Sequence, residues 1–285
     1  MNFPVGFRPG SAMQCLIRYD GRAMANTQEF NGKWALVTGA SAGIGVALAR
    51  ELARHGAKLI LTARRRDRLE ALAAELIAQG TEVRIVIADL NGPAAPEEIF
   101  AATAGAGLIV DILVENAGLG QYGAFTESNI EQEVSQVRVN CEAVVRLARL
   151  FVPEMVKRRR GWVLVLASTA SFQPVPYLTT YAATKAFDRF FALGLASEVA
   201  RFGVKVTALC PGSTESEFFD IARAGVFKGR ATQPATDVAR LAVAALARGQ
   251  RTILPSFSGK FTSFLVRFLP VRLITHFVER QARPA

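Results

Sequence analysis

Between Trp34 and Leu254, short runs of apolar and β-branched residues alternate with longer stretches in which apolar residues return every three or four positions. The first pattern suits strands buried on both faces, and the second suits helices with one apolar stripe. The runs Trp34–Thr38, Lys58–Thr62, Glu82–Ala88, Ile109–Glu115, Gly161–Ala167, Val204–Leu209 and Arg251–Leu254 predict seven strands. Ala47–His55, Asp67–Gln79, Ile130–Arg158, Tyr181–Phe202 and Thr236–Ala247 predict helices. Gly56, Gly80, Gly161 and Gly203 each follow a helical run where a left-handed cap is wanted, and Asp67 before Glu70 loosely matches an N-terminal capping pattern. Strands alternating with helices imply parallel crossover units. Because no linker or repeat divides the chain, residues 31–256 are expected to form one doubly wound α/β domain on a seven-stranded parallel sheet. Residues 1–30 read as a flexible tail. Residues 257–285 read as an added C-terminal helical segment of the same domain, with Phe257, Phe261, Phe264, Leu265, Phe268 and Leu269 on one helical face.

Composition narrows the classes of function. At 285 residues, 51% hydrophobic and 20% charged, the chain is neither disordered, collagen-like nor a coiled coil. His55, His276, Cys15, Cys141 and Cys210 are too few and too scattered for a zinc or iron–sulfur ligand set, so no metal is expected. Unpaired, irregularly spaced cysteines fit a reduced compartment, hence a cytoplasmic protein. The uncharged stretch Gly161–Thr184 is broken by Ser168, Thr169, Gln173, Pro174 and Pro176 and does not predict a spanning helix. The net charge of +10 raises the question of nucleic acid. Its clusters, Arg64–Arg66 and Lys157–Arg160, sit beside helical segments without a nucleic-acid-binding pattern, so they read as solvated helix ends. At the C-terminus, Lys260, Arg267 and Arg272 interleave with the apolar face. That pattern predicts a wall over an apolar pocket together with peripheral contact on an anionic membrane, against the plain alternative of a helix packed on the sheet.

The first predicted strand runs directly into Gly39-Ala-Ser41-Ala-Gly43-Ile44-Gly45 and then a helix. Glycines at such a turn let backbone approach a pyrophosphate, and the helix start offers free N–H groups. At the end of the second strand, where an acid would grip the 2′-hydroxyl of NAD, the chain has Ala63 and then Arg64. A guanidinium there favours a 2′-phosphate, so NADP(H) is the expected cofactor. Asp89, with Leu90, is placed to meet the adenine.

Taken together, Thr38–Gly45, Asn116-Ala117-Gly118, Ser168, Tyr181-Ala-Ala-Thr-Lys185 and Pro211-Gly212 resemble the short-chain dehydrogenase/reductase family. Within it, Asn116–Phe125 and Phe172–Phe187 look like the branch of 3-oxoacyl-CoA reductases and hydroxysteroid dehydrogenases. The resemblance covers residues 32–256 and implies a Rossmann-type fold, small-molecule carbonyl or alcohol substrates and a homo-oligomer. It also implies catalytic roles for Asn140, Ser168, Tyr181 and Lys185, and cofactor contacts from Asn116, Ala117, Gly118, Tyr181, Lys185, Pro211, Gly212 and Thr214. Chemistry makes sense of these residue types. Hydride transfer to a ketone leaves an alkoxide to be protonated, and Lys185, one helical turn beyond Tyr181, favours the phenolate. Ser168 would hydrogen-bond the substrate oxygen. Asn140 would hold a water linking Lys185 to solvent, as the resemblance implies. Glu215–Lys228 reads as a mobile substrate lid. One departure is Glu115 where the family has Asn: a carboxylate at the nucleotide edge of the sheet would either repel the cofactor phosphates or be paired by a local arginine, so it bears on cofactor affinity. The expected activity is NADPH-dependent reduction of a ketone or aldehyde, or oxidation of the alcohol, on an apolar acyl or steroid-like substrate. The alternative is a non-catalytic NADP(H)-sensing regulatory or scaffold protein on the same fold.

Overall fold

The computed structural model of the chain describes residues 27–227 and 232–284. Among the described residues, seven strands form one parallel sheet: β1 Trp34–Thr38, β2 Lys58–Ala63, β3 Val83–Ile87, β4 Val110–Glu115, β5 Gly161–Leu166, β6 Val204–Leu209 and β7 Thr252–Ile253. Their spatial order is β3-β2-β1-β4-β5-β6-β7, so the winding reverses between β1 and β4 and opens a crevice at their carboxyl ends. Every ladder is parallel, with Thr38 beside Thr62 and Glu115 beside Val165 in register.

Alternation along each strand feeds two helical layers. Ala35, Val37, Leu59, Leu61, Ile112 and Val114 point into a core shared with α1 (Gly43–Arg54), α2 (Arg66–Ala78) and α8 (Ala235–Ala247). Trp34, Leu36, Ile60, Leu113, Val163 and Val165 point to the other face, against α3 (Ala95–Ala102), α5 (Ala143–Lys157) and α6 (Thr179–Val199). Both faces being covered explains why the strands read as continuous apolar runs. Of the remaining helices, α7 (Phe218–Ile221), α9 (Phe257–Leu265) and α10 (Val271–Ala282) border the cleft at the carboxyl end of the sheet, and α4 (Ile130–Val137) precedes α5 and packs on α6.

Several boundaries differ from the sequence reading. Thr27–Phe30 forms a 3-10 turn, and Phe30 is fully buried with its ring 5.4 Å from Trp162, so the folded domain begins inside the expected tail. Residues 1–26 of that tail, and Cys15 with them, lie outside the described residues. Helix α1 starts at Gly43, four residues before the predicted start, because the glycine turn leads straight into it. Helix α2 starts at Arg66 after an extended Arg65 with no side-chain cap, which leaves Asp67 in the first turn, where its charge complements the helix dipole. The three caps at Gly56, Gly80 and Gly203 have positive φ, but Gly161 does not. Arg159 takes the left-handed conformation there, and Gly161 opens β5 with no room for a Cβ beside Met155. The predicted helix 130–158 is interrupted at Arg138–Glu142 by a π turn that carries Asn140.

Candidate active site

The glycine turn is shaped by its neighbours before any ligand is considered. Gly39 has φ +66°, and a Cβ on it would lie 2.9 Å from the Ala117 Cα. A Cβ on Gly45 would run into the Gly39 carbonyl oxygen and the Asn116 amide, so Gly45 serves the close approach of α1 to the strand end. Thr38 locks the adjoining loop: its Oγ1 donates to the Val114 carbonyl (3.2 Å) and accepts from the backbone N–H groups of Asn116 (2.9 Å) and Ala117 (3.0 Å). Asn116 Nδ2 donates to the Thr38 and Gly39 carbonyls at 2.9 and 3.3 Å, while its Oδ1 is buried without a partner. Asn116 therefore staples the two strand ends that flank the crevice.

That crevice is a cleft of about 610 Å³. It is lined by Gly39, Ser41, Gly43, Ile44, Gly45, Arg64, Asp89, Leu90, Asn116, Ala117 and Gly118 at one end, and by Ser168, Tyr181, Lys185, Pro211, Gly212 and Thr214 at the other. Among the residues expected to act, Asn140 alone is not part of its wall. Asn140 is fully buried behind it, where Oδ1 accepts from the Leu119 N–H (2.8 Å) and Nδ2 donates to the Leu119 carbonyl (2.9 Å) and to Thr184 Oγ1 (2.8 Å). These bonds fix the loop after β4 to α6.

Ser168, two residues beyond β5, caps the following 3-10 turn, accepting from the Ala170 N–H at 3.1 Å, and its hydroxyl favours the phenolate of Tyr181. Lys185 Nζ donates to the Leu166 carbonyl (2.7 Å) and to Asp188 Oδ2 (2.9 Å), which leaves its third N–H for the cleft. Asp188 is 1% exposed and sits three residues on, on the same face of α6. Burial alone would lower the Lys185 pKa, but the charge of Asp188 and the neighbouring Tyr181 outweigh it and hold the ammonium above its ordinary value. For Tyr181, burial raises the phenol above its usual value, with Asp188 adding to the rise, while Lys185 and Ser168 pull against them. Lys185 thus acts in the expected direction, yet the net shift is upward and the phenol keeps its proton at neutral pH. Burial also pushes the thiols up, Cys141 to about 12 and Cys210 to about 11, so neither is a thiolate near neutrality.

Glu115 does not behave as its sequence position suggested. It is 3% exposed, is not part of the cleft wall, and faces Asp188 beneath the sheet. Burial, with the Asp188 charge adding to it, holds its carboxyl well above the ordinary range and favours the neutral acid, and its side chain faces the core rather than the nucleotide cleft.

Four further residues complete the site. Arg65, one position beyond Arg64, donates through Nε to Ser41 Oγ (3.2 Å), through Nη2 to the Ser41 carbonyl (3.2 Å), and through Nη1 to Glu217 (2.8 Å). The Glu217 carboxylate also pairs with Arg68, and the two guanidinium groups hold it below its usual range. Ser216 lies so close to the glycine turn that a Cβ on Gly43 would be 2.8 Å from its Cβ. Phe218 sets its ring 5.0 Å from that of Tyr181. The segment expected to be a lid is therefore drawn across the cleft; Lys228, its last expected residue, is outside the described residues. Beyond Tyr181 the wall becomes apolar, with Val175, Leu178, Phe219, Ile221, Ala222 and Val278.

A sequence profile described as short chain dehydrogenase matches residues 33–225. The very-long-chain 3-oxoacyl-CoA reductase of Anas platyrhynchos is 35% identical over 187 residues, which is 63% of this chain and 59% of that protein, less than two thirds of its length. Oxidoreductase UcpA of Escherichia coli K12 is 36% identical over 185 residues, 65% of this chain and 70% of that one. Among solved structures, a short-chain dehydrogenase from Sphingobium yanoikuyae in complex with NADPH superposes with a TM-score of 0.76 at 29% identity, covering 84% of this chain and 96% of the other. A 3-oxoacyl (acyl-carrier-protein) reductase from Agrobacterium tumefaciens with NADP bound gives 0.73 at 27% identity, covering 84% and 98%.

Proposed function

The chain belongs to the short-chain dehydrogenase family, and on that premise we propose that it is an NADPH-dependent oxidoreductase that reduces a ketone or aldehyde, or oxidises the alcohol, on an apolar acyl or steroid-like substrate. The observation that carries this reading is the convergence of Ser168, Tyr181 and Lys185 on one cleft whose wall turns apolar immediately beyond them.

The residues present fit the cofactor. The turn Gly39–Gly45 lays side-chain-poor backbone along one end of the cleft and leads into the N-terminus of α1, where unpaired N–H groups and the positive dipole end suit a pyrophosphate. Ala63 at the end of β2 brings no carboxylate against a 2′-phosphate, and Arg64 and Arg65 bring two guanidinium groups. Asp89, whose Oδ1 accepts from the Asn91 N–H (3.0 Å), borders the adenine end, and Thr214 with Pro211 and Gly212 borders the nicotinamide end. When bound there, NADPH supplies the hydride.

The protein's own groups supply the rest. Ser168 Oγ orients the substrate oxygen by hydrogen bonding. Tyr181, protonated at neutral pH as any phenol is and held more firmly so by burial, donates its phenolic proton to that oxygen as negative charge develops on it. Lys185, kept charged by Asp188, stabilises the phenolate left behind and offers its remaining N–H to a ribose hydroxyl. Asn140 acts as a positioning residue, holding Leu119 and Thr184 so that the loop after β4 keeps its distance from Tyr181. The same reading includes assembly into a homo-oligomer through the long helices α5 and α6.

The direct test of the assignment is Tyr181→Phe, which removes the proton and little volume. Turnover should fall by about 10²–10⁴-fold, the usual contribution of a positioned general acid, while NADPH binding followed by fluorescence stays within a few-fold of the parent. Turnover that survives the substitution would remove Tyr181 from the role. Tight NADPH binding without turnover on any carbonyl would favour the NADP(H)-sensing alternative.

A further inference from the structure

Helices α9 and α10 carry their polarity the wrong way round for a protein in water. On α9 the side that meets the body of the molecule is small and polar: Gly259 and Ser263 are buried, and Ser258 and Thr262 border the cleft. Its solvent side carries Phe257, 84% exposed, with Phe261, Phe264 and Leu265, and the stripe continues into Phe268, 69% exposed. The Phe264 and Phe268 rings meet edge to face at 5.1 Å. Helix α10 buries only Ile274 and Ala282, and it presents Val271, Leu273 and Phe277 outward. The turn Gly225–Phe227 packs against α10 and adds an exposed Val226. So wide an aromatic face, continuous over two helices, marks an interaction surface.

Its charge selects the occupant. From Ser256 to Pro284 the basic residues are Lys260, Arg267, Arg272, Arg280 and Arg283, and the one acid is Glu279. Glu279 is already paired with Arg283 at 2.7 Å and hydrogen-bonded by Tyr177 at 3.1 Å. Among the described residues, no ion pair joins Arg267, Arg272 or Arg280 to a carboxylate. A second copy of this chain would press like charges together around the apolar contact, on a molecule whose net charge is already +10. Aromatic side chains flanked by arginines instead match the depth profile of a bilayer surface, apolar below and anionic at the headgroups.

We propose that the outer face of α9 and α10 docks on an anionic lipid bilayer, with the phenylalanines entering the acyl boundary and the arginines meeting the headgroups. The docking does not depend on what the cleft reduces. It does put the inner face of the same helices, which borders the cleft through Ser258, Thr262, Val278 and Gln281, next to the lipid phase.

Co-sedimentation of the full chain tests this, using vesicles of phosphatidylcholine alone and vesicles in which about a third of the lipid is phosphatidylserine. The protein should pellet with the mixed vesicles at least tenfold more than with the neutral ones, and added salt should weaken that binding. Phe264→Asp with Phe268→Asp should reduce pelleting at least tenfold with the melting temperature held, because both side chains point to solvent. Arg267→Glu with Arg272→Glu, which keeps the apolar face, should remove the preference for phosphatidylserine. A wild-type chain that stays in the supernatant with the mixed vesicles overturns the proposal. So does a dimer in size-exclusion chromatography that the phenylalanine pair of substitutions splits, since a second copy would then cover the face.

Discussion

At the residue scale, the site is a set of protons held in place by burial. Tyr181 keeps its proton because the phenolate would be desolvated, and Lys185 keeps its charge because Asp188 is 2.9 Å away in the same dry environment. The Glu115 carboxyl is shifted toward its protonated form too, and for it the sign can be followed through to stability. Its folded pKa is raised, so its contribution is fully favourable below the ordinary carboxyl value of about 4.3 and is lost as pH rises from there toward the raised value. Across that window the fold loses up to about 1.4 kcal/mol per pH unit. Glu115→Gln keeps the shape of the neutral acid without that liability. The variant should match the parent's melting temperature near pH 4 and exceed it by a margin that widens toward pH 8; a constant difference across the range would mean that Glu115 does not hold a proton. Ser168, Tyr181 and Lys185 are implied by the family resemblance, and the fold brings all three to the wall of one cleft. Sequence alone could not place Glu115, because the last residue of a strand is equally able to face the crevice or the helices below.

At the element scale, the turn between β2 and α2 and the segment that carries α7 act as one unit. Arg65 ties Ser41 of the glycine turn to Glu217, and Arg68 holds the same carboxylate. Glu217 thus places a negative charge on the guanidinium groups that a 2′-phosphate would use. Glu217→Gln should tighten NADPH by about two- to fivefold, the range of a half-exposed ion pair, and leave NADH unchanged. Arg64→Ala should weaken NADPH relative to NADH by roughly tenfold or more. Equal shifts for both nucleotides in either variant would separate these charges from the 2′-phosphate. The elements themselves were largely legible. Strands buried on both faces announce themselves as unbroken apolar runs, and all seven fell where the pattern put them, with β7 trimmed to Thr252–Ile253. Helix α3 went unrecognised, although Pro96 and the acids Glu97 and Glu98 in its first turn are start signals. The π turn at Arg138–Glu142 has no local signature; the bonds from Asn140 to Leu119 and Thr184 that accompany it are tertiary. The Arg65–Glu217 pair spans 152 residues and could not be read from the chain.

At the scale of the whole molecule, the reversal of strand order between β1 and β4 decides where everything meets. The glycine turn follows β1, the Asn116 staple follows β4 and Ser168 follows β5, so three distant stretches of sequence end on the same edge of the sheet. The C-terminal helices then close the apolar end of the cleft with their polar side and leave the aromatic side outward. The pattern of that stripe allows a wall over a pocket with peripheral contact on an anionic membrane, or plain packing on the sheet. The structure gives the wall to the small residues between the phenylalanines, because the spacing that aligns Phe257, Phe261 and Phe264 also aligns Gly259 and Ser263 on the opposite side. The most direct test of the proposed activity is NADPH oxidation with 3-oxoacyl thioesters of increasing chain length, and with a keto-steroid, run side by side for the parent and Tyr181→Phe. Turnover should rise with chain length as the apolar wall is filled, and be lost in the variant with NADPH still bound. A parent that binds NADPH but turns over neither this series nor a keto-steroid, or a variant that keeps the parent's rate, would contradict the proposed reading.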